Sequence, residues 1–175
     1  HHPRLCRVYD FGRLPPGSLG GGDAGGYFLT RDLVDGDDLA RAAEARGRDV
    51  GAVCRLLADA ARTLEVLHRA GLRHGDFKPA NAIVDAAGEV HLIDFGLAAR
   101  ENVHTSSGTL AYLAPEVLRG QPADRRADLY ALGVTLFQLL TGELPSGTAR
   151  GGELVAWHLD AEAPPLHGRL PSAPA

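Results

Sequence analysis

The stretch His74-Gly75-Asp76-Phe77-Lys78-Pro79-Ala80-Asn81, followed after a short hairpin pattern by Asp94-Phe95-Gly96, decides the fold of this chain. The first stretch offers a carboxylate, an ammonium and a carboxamide in close succession, and the second adds another carboxylate. This set suits phosphoryl transfer, because one carboxylate accepts a hydroxyl proton while the other, with the carboxamide, holds Mg²⁺ through hard oxygen ligands. The lysine adds positive charge for the transferred group.

Two long helices are predicted on either side of these motifs. Apolar residues recur at three- and four-residue spacing from about 50 to 70, and again over 124–141. The second helix is apolar on nearly all sides and is expected to be the most buried in the domain. Shorter helices are predicted over 39–45, with Asp37 or Asp38 as the cap, and near 153–160.

Two hairpins are predicted from alternating and β-branched runs. Residues 5–12 pair with 27–34, and residues 82–85 pair with 90–93. The segment between the first two strands, Gly20-Gly21-Gly22-Asp23-Ala24-Gly25, matches the glycine pattern of phosphate-binding loops. It lies between two strands and opens no helix, so the pattern favours a hairpin loop.

Composition excludes several classes of function. The chain has 175 residues, is 45 % hydrophobic and carries a net charge of -4, with 18 basic residues against 22 acidic ones, so we expect no nucleic-acid partner. No apolar run reaches the roughly 18 residues of a membrane span, so no membrane segment and a cytoplasmic location are expected. The two cysteines, Cys6 and Cys54, indicate buried thiols rather than a disulfide or zinc site.

A third motif, Ala114-Pro115-Glu116, follows Gly108-Thr109-Leu110-Ala111-Tyr112-Leu113 and precedes Asp128-Leu129-Tyr130-Ala131-Leu132-Gly133. The order and separation of these motifs resemble the protein kinase family, in particular the bacterial Hanks-type serine/threonine kinases. The resemblance implies an α+β fold with a mainly helical large lobe, small β-hairpins and the last strands of a small lobe. Residues 1–34 are then a remnant of the small lobe, and residues 35–175 are a large lobe that is incomplete at its C-terminal end.

The resemblance also implies roles for individual residues. Asp76 is similar to the catalytic base, and Lys78 to the lysine that neutralises the transferred phosphate. Thr109 is expected to hydrogen-bond both of these side chains. Asn81 and Asp94 correspond to the Mg²⁺ ligands.

The same resemblance implies an ATP site at the hinge, residues 32–34. Asp32 and Val34 are expected to offer backbone groups to adenine, Asp38 to lie near the ribose, and Ile83 to form the apolar floor beneath the base. ATP and Mg²⁺ are therefore the expected cofactors, and Ser or Thr hydroxyls of a protein are the expected substrate.

Other residues take supporting roles by the same resemblance. Asp128 is expected to orient the catalytic loop from below. The hydroxyls at Thr105, Ser106 and Ser107 are either phosphorylation sites or ordinary solvated side chains.

Three parts of the kinase pattern do not match this sequence. The family uses a Gly-rich loop at the start of the small lobe, a strand lysine and a helix glutamate that pairs with it, but Lys78 is the only lysine of the chain. At the other end, the family partner of Glu116 would follow residue 175. We therefore expect a fragment of a longer polypeptide, cut at both ends, which by itself binds ATP weakly and transfers phosphate poorly or not at all.

Gly75 replaces the arginine of the H-R-D motif, which leaves alternative functions open. Control through a phosphorylated activation segment becomes doubtful without that arginine. H-G-D is also similar to the loop of aminoglycoside- and choline-type phosphotransferases, although Lys78 and the segment 108–116 favour a protein kinase. A non-catalytic pseudokinase that binds a partner through the large lobe is the remaining alternative.

Overall fold

A computed structural model describes residues 2–18, 26–95, 107–166 and 169–170. The elements run in the order β1 (Val8–Leu14), β2 (Gly26–Arg31), β3 (Asp37–Asp38), α1 (Leu39–Ala45), α2 (Val50–Arg69), a 3₁₀ turn (Pro79–Asn81), β4 (Ala82–Val84), β5 (Val90–Leu92), α3 (Ser107–Leu110), α4 (Pro115–Leu118), α5 (Arg125–Thr141) and α6 (Gly151–Asp160). The α+β class is confirmed, and so are the four predicted helices.

The strands form two small antiparallel sheets. β1 and β2 pair with each other, with Phe11 opposite Leu29, and the rings of Phe11 and Tyr27 stack with centroids 5.6 Å apart. The second sheet has the order β3-β4-β5. Both predicted hairpins are confirmed, whereas β3, which places Asp38 opposite Ile83, is a strand that the sequence pattern did not predict.

Local side-chain caps start the long helices. Asp38 begins α1 by accepting from the Arg41 amide at 2.9 Å, Asp49 begins α2 through the Ala52 amide at 2.8 Å, and Asp124 begins α5. A carboxylate at this position satisfies an amide that has no partner inside the helix. The caps therefore set where these helices begin.

The core lies between α1, α2, α5 and the β3-β4-β5 sheet. Its most buried members include Leu39, Val53, Leu64, Leu92 and Leu139. α5 was expected to be the most buried helix, and it has eight buried residues against seven in the longer α2, although Leu129 is 52 % exposed. α5 therefore turns one strip to solvent while its opposite side holds the core and the loop that precedes β4.

Within the described parts of the chain, no helix has the length and apolar character needed to cross a membrane.

Candidate active site

The loop between α2 and β4, residues 70–81, is anchored from below by Asp128 of α5. The Asp128 carboxylate accepts hydrogen bonds from the backbone amides of His74 and Gly75, both at 2.9 Å, and from Nε2 of His68 at 2.7 Å. Asp128 is only 1 % exposed, so these bonds lie in a site of low dielectric constant, where they are strong. The predicted orienting role of Asp128 therefore has a direct geometric counterpart.

Aromatic packing fixes the middle of the same loop. Phe77 is buried, and its ring meets the buried His74 ring edge-on at 5.8 Å between centroids. Burial lowers the pKa of His74, against the opposing effect of the Asp128 and Asp76 carboxylates. His74 is therefore a neutral, structural side chain at neutral pH, while its neighbours Asp76 and Lys78 turn toward solvent.

Asp76, Lys78 and Thr109 come together at the loop surface. Lys78 Nζ donates to Asp76 Oδ2 at 2.7 Å and to Thr109 Oγ1 at 2.9 Å. The Lys78 and Asp76 side chains are 21 % and 26 % exposed, so the pair remains accessible to a substrate. Thr109 lies in α3, far along the chain, and it thus ties the segment before α4 to the catalytic loop.

Asn81 joins the same carboxylate from the 3₁₀ turn. Its Nδ2 donates to Asp76 Oδ2 at 2.9 Å and to the Asp76 carbonyl at 2.8 Å. With the nitrogen committed in this way, the amide oxygen is the atom that the side chain has to offer to a cation. The Asn81 carbonyl accepts from the Ile93 amide at 3.0 Å, which places the residue before Asp94 beside this turn.

Asp94 follows β5 in a left-handed backbone conformation, with φ of 57°. Its Oδ1 lies 3.4 Å from Nε of Arg31, the last residue of β2. Carboxylate and amide oxygens are the ligands that Mg²⁺ prefers, so the donor set of Asn81 and Asp94 fits the expected metal. The Arg31 contact is a feature that the sequence analysis missed.

The hinge begins at Asp32, which is tied to the segment before β1. Its amide donates to the Arg7 carbonyl at 2.9 Å, and its carbonyl accepts from the Cys6 thiol at 3.2 Å. The carboxylate accepts from Tyr9 Oη and the Arg7 amide, and these bonds hold the pKa of Asp32 below its usual value. The Asp32 carbonyl has a weaker hydrogen bond than the Asp32 amide, because its donor is a thiol.

The other predicted nucleotide contacts lie close by. Val34 is half-buried and makes no hydrogen bond with any residue that the structure describes. Asp38 and Ile83 are register partners between β3 and β4, so the structure brings together the residues predicted for the ribose and for the floor. One oxygen of Asp38 caps α1, a local role that the sequence analysis also predicted.

Some predictions fall outside the described residues. These are the glycine-rich segment 20–25, Gly96 of the D-F-G motif, and the hydroxyls of Thr105 and Ser106, while Ser107 begins α3 without a described side chain.

His68 is a further residue that sequence reasoning did not single out. It lies near the end of α2 with a side chain that is 10 % exposed, and its Nε2 reaches Asp128 Oδ2, the same oxygen that accepts from the His74 amide. A histidine in the last turn of an amphipathic helix also fits the helix dipole, so its position alone was not a distinctive signal. Only the fold shows that it helps to hold the carboxylate beneath the catalytic loop.

Comparison with known proteins identifies the family. The protein kinase domain matches residues 1–164. Serine/threonine-protein kinase PknJ of Mycobacterium tuberculosis is 37 % identical over 99 % of this chain, and PrkC of Bacillus subtilis is 30 % identical over 99 % of it. The kinase pkn3 of Myxococcus xanthus is 33 % identical, also over 99 % of the chain.

The matched region is a minor part of each relative. It covers 30 % of PknJ, 26 % of PrkC and 33 % of pkn3, so the chain spans about a third or less of their length. The domain match and the relatives favour a protein kinase over a small-molecule phosphotransferase. The predicted resemblance is confirmed: the chain belongs to the protein kinase family and is similar to bacterial serine/threonine kinases.

Proposed function

We propose that this chain carries the phosphoryl-transfer site of a serine/threonine protein kinase. The observation that carries the proposal is the convergence of Lys78 Nζ and Asn81 Nδ2 on Asp76 Oδ2, at 2.7 and 2.9 Å, with Thr109 bonded to the same lysine. Asp76 and Lys78 are partly exposed at the loop surface, and Asn81 reaches Asp76 from a buried position. They are the groups that transfer of a γ-phosphate to a protein hydroxyl requires.

Asp76 accepts or orients the proton of the substrate Ser or Thr hydroxyl. Both observed side-chain bonds to its carboxylate end on Oδ2, and we assign the proton-accepting role to Oδ1. Lys78 holds the carboxylate in place and presents its positive charge where negative charge develops on the transferred group. Thr109 fixes the ammonium from the other side and thereby couples this geometry to α3.

Asn81 and Asp94 are the residues that would hold Mg²⁺. Bound Mg²⁺-ATP supplies the phosphoryl group and the charge neutralisation that the reaction needs. The Asn81 amide is oriented by its bonds to Asp76, and the Asp94 carboxylate is presented by its left-handed backbone. The base of ATP would lie over Ile83, against the Asp32 carbonyl and the Val34 amide, with Asp38 near the ribose.

A single-turnover assay tests this proposal. The chain, in excess over γ-labelled ATP with Mg²⁺, is incubated with a Ser/Thr-containing acceptor protein, and labelled phosphoserine and phosphothreonine are measured. An excess of chain is needed because the sequence predicts slow transfer. D76N should slow labelling by about 10²- to 10⁴-fold, since that is the usual contribution of a positioned base. N81A should weaken binding of the Mg²⁺-nucleotide complex.

The matched control is D10N, because Asp10 is exposed on β1, away from the catalytic loop. It should leave both labelling and nucleotide binding unchanged. Nucleotide binding without any labelling would support the pseudokinase alternative, and transfer to aminoglycoside or choline instead of protein would support a small-molecule phosphotransferase. Either result would overturn the proposed function.

A further inference from the structure

Arg31 forms an ion pair with the proposed metal ligand Asp94. Its Nε lies 3.4 Å from Asp94 Oδ1, and both side chains are one-third exposed. Among the described residues it is the only basic side chain within ion-pair distance of Asp94. Arg31 ends β2 and precedes the hinge directly, so its position is fixed by the pairing of β1 with β2.

The contact places a permanent positive charge beside a carboxylate that is expected to bind a divalent cation. A guanidinium carries a full positive charge and five N–H donors in a planar arrangement. A free Mg²⁺ ion at Asp94 would have to separate the ion pair and would then be repelled by the displaced Arg31. Nucleotide phosphates would reduce this repulsion, because their negative charges attract both Mg²⁺ and the Arg31 guanidinium.

We propose that Arg31 makes metal binding at Asp94 conditional on nucleotide phosphates. Without nucleotide, Arg31 pairs with Asp94 and keeps free divalent cations from the carboxylate. When Mg²⁺ arrives on the triphosphate, the guanidinium turns from Asp94 to the phosphate oxygens, for which its planar donors are well suited. The inference rests on the proposed function, since it takes Asp94 to be a metal ligand.

This role also provides a phosphate-facing cation near the hinge in a chain whose only lysine belongs to the catalytic loop. The consequence is a positive thermodynamic coupling between metal and nucleotide, which must be equal in both directions. Loss of the Arg31 charge should strengthen the binding of free metal and weaken the coupling at the same time. A residue with a merely structural role would not produce these opposite changes.

The test uses Mn²⁺ as the spectroscopic probe for Mg²⁺. Free and bound Mn²⁺ are measured by electron paramagnetic resonance on the chain, with and without a non-hydrolysable ATP analogue. R31Q should bind Mn²⁺ alone about tenfold more tightly than the wild type, which corresponds to about 1.4 kcal/mol. The analogue should enhance Mn²⁺ binding less in R31Q than in the wild type.

Three further variants separate charge from structure. R31K keeps the charge and should resemble the wild type. R13Q removes an exposed arginine of β1 that has no ion-pair partner among the described residues, and it should change nothing. D94N should weaken Mn²⁺ binding in the presence of the analogue if Asp94 is a ligand.

The outcomes distinguish the inference from the function on which it rests. If D94N weakens metal binding but R31Q binds free Mn²⁺ no more tightly than the wild type, the role of Arg31 is overturned and the metal site stands. If D94N has no effect in the presence of the analogue, Asp94 is not a metal ligand, and the proposed function fails at this residue together with the inference. Tighter Mn²⁺ binding by R31Q, with R31K and R13Q unchanged, supports the inference.

Discussion

Replacing Asp128 by alanine should destabilise the fold more than any substitution at the loop surface. The carboxylate is 1 % exposed and accepts from two backbone amides and one imidazole, at 2.7–2.9 Å. Removing one partner of a buried charged network typically costs 3–5 kcal/mol, because the remaining donors are left without acceptors. We therefore expect D128A to lower the free energy of unfolding by about 4 kcal/mol.

Urea denaturation followed by circular dichroism measures this loss. In thermal unfolding, a loss of about 4 kcal/mol corresponds to a decrease in Tm of about 8–16 °C for a chain of this length. Amide hydrogen exchange supplies the local readout, because the His74 and Gly75 amides lose their acceptor in D128A and should exchange faster than the amides of the core sheet. D128N keeps one acceptor oxygen but places an NH₂ group against a donor, so an intermediate loss is expected.

The matched control is D124A on the same helix. Asp124 caps α5 from an exposed position, and its side chain is 56 % exposed, so its removal should cost much less than the removal of Asp128. If D128A changed the free energy of unfolding by less than about 1 kcal/mol, the reasoning that the loop is held by this carboxylate would be refuted.

Two further predictions concern α5 and the buried histidine. Gly142 ends α5 with φ of 81°, so G142A should lose about 1–2 kcal/mol, whereas G133A in the helix interior, where an added Cβ meets nothing within 4 Å, should gain about 0.5–1 kcal/mol. Equal effects of the two variants in thermal unfolding would contradict this assignment. Burial lowers the pKa of His74, so its contribution to stability should be complete above about pH 6.5, the unfolded value, and should decline as the pH falls below it. H74Q should make the free energy of unfolding depend less steeply on pH below about 6.5 than it does in the wild type. Part of the decline should remain, because burial also lowers the pKa of His158. An unchanged slope in H74Q would show that His74 does not titrate as described.

The long elements were predictable because their signals are local. The apolar spacing in α2 and α5 and the carboxylate caps at Asp38, Asp49 and Asp124 lie within the segments that they define. The short elements β3, α3 and α4 were not predicted. A strand of two residues or a helix of four is too short to show a period, and its conformation depends on the surface against which it packs.

The active-site residues also differ in how far the sequence alone could predict them. Asp76, Lys78 and Asn81 lie on one tight loop, so their spacing in the sequence brings them near one another in any compact fold of that loop, and the chemistry they offer could be inferred from that spacing alone. Thr109 and Asp128 are distant in sequence, and only the family resemblance suggested their roles. Their contacts with the loop require α3 and α5 to pack beneath and beside it.

The sequence by itself thus determined α1, α2, α5 and α6, the two hairpins, the family and the chemically active loop, because each depends on residues close together in the chain. The tertiary structure alone decided that His68 supports Asp128 and that Arg31 faces Asp94. Neither residue has a distinctive local pattern. Each acquires its role from a partner that is remote in the sequence, and the distance between such partners is set by the packing of whole elements.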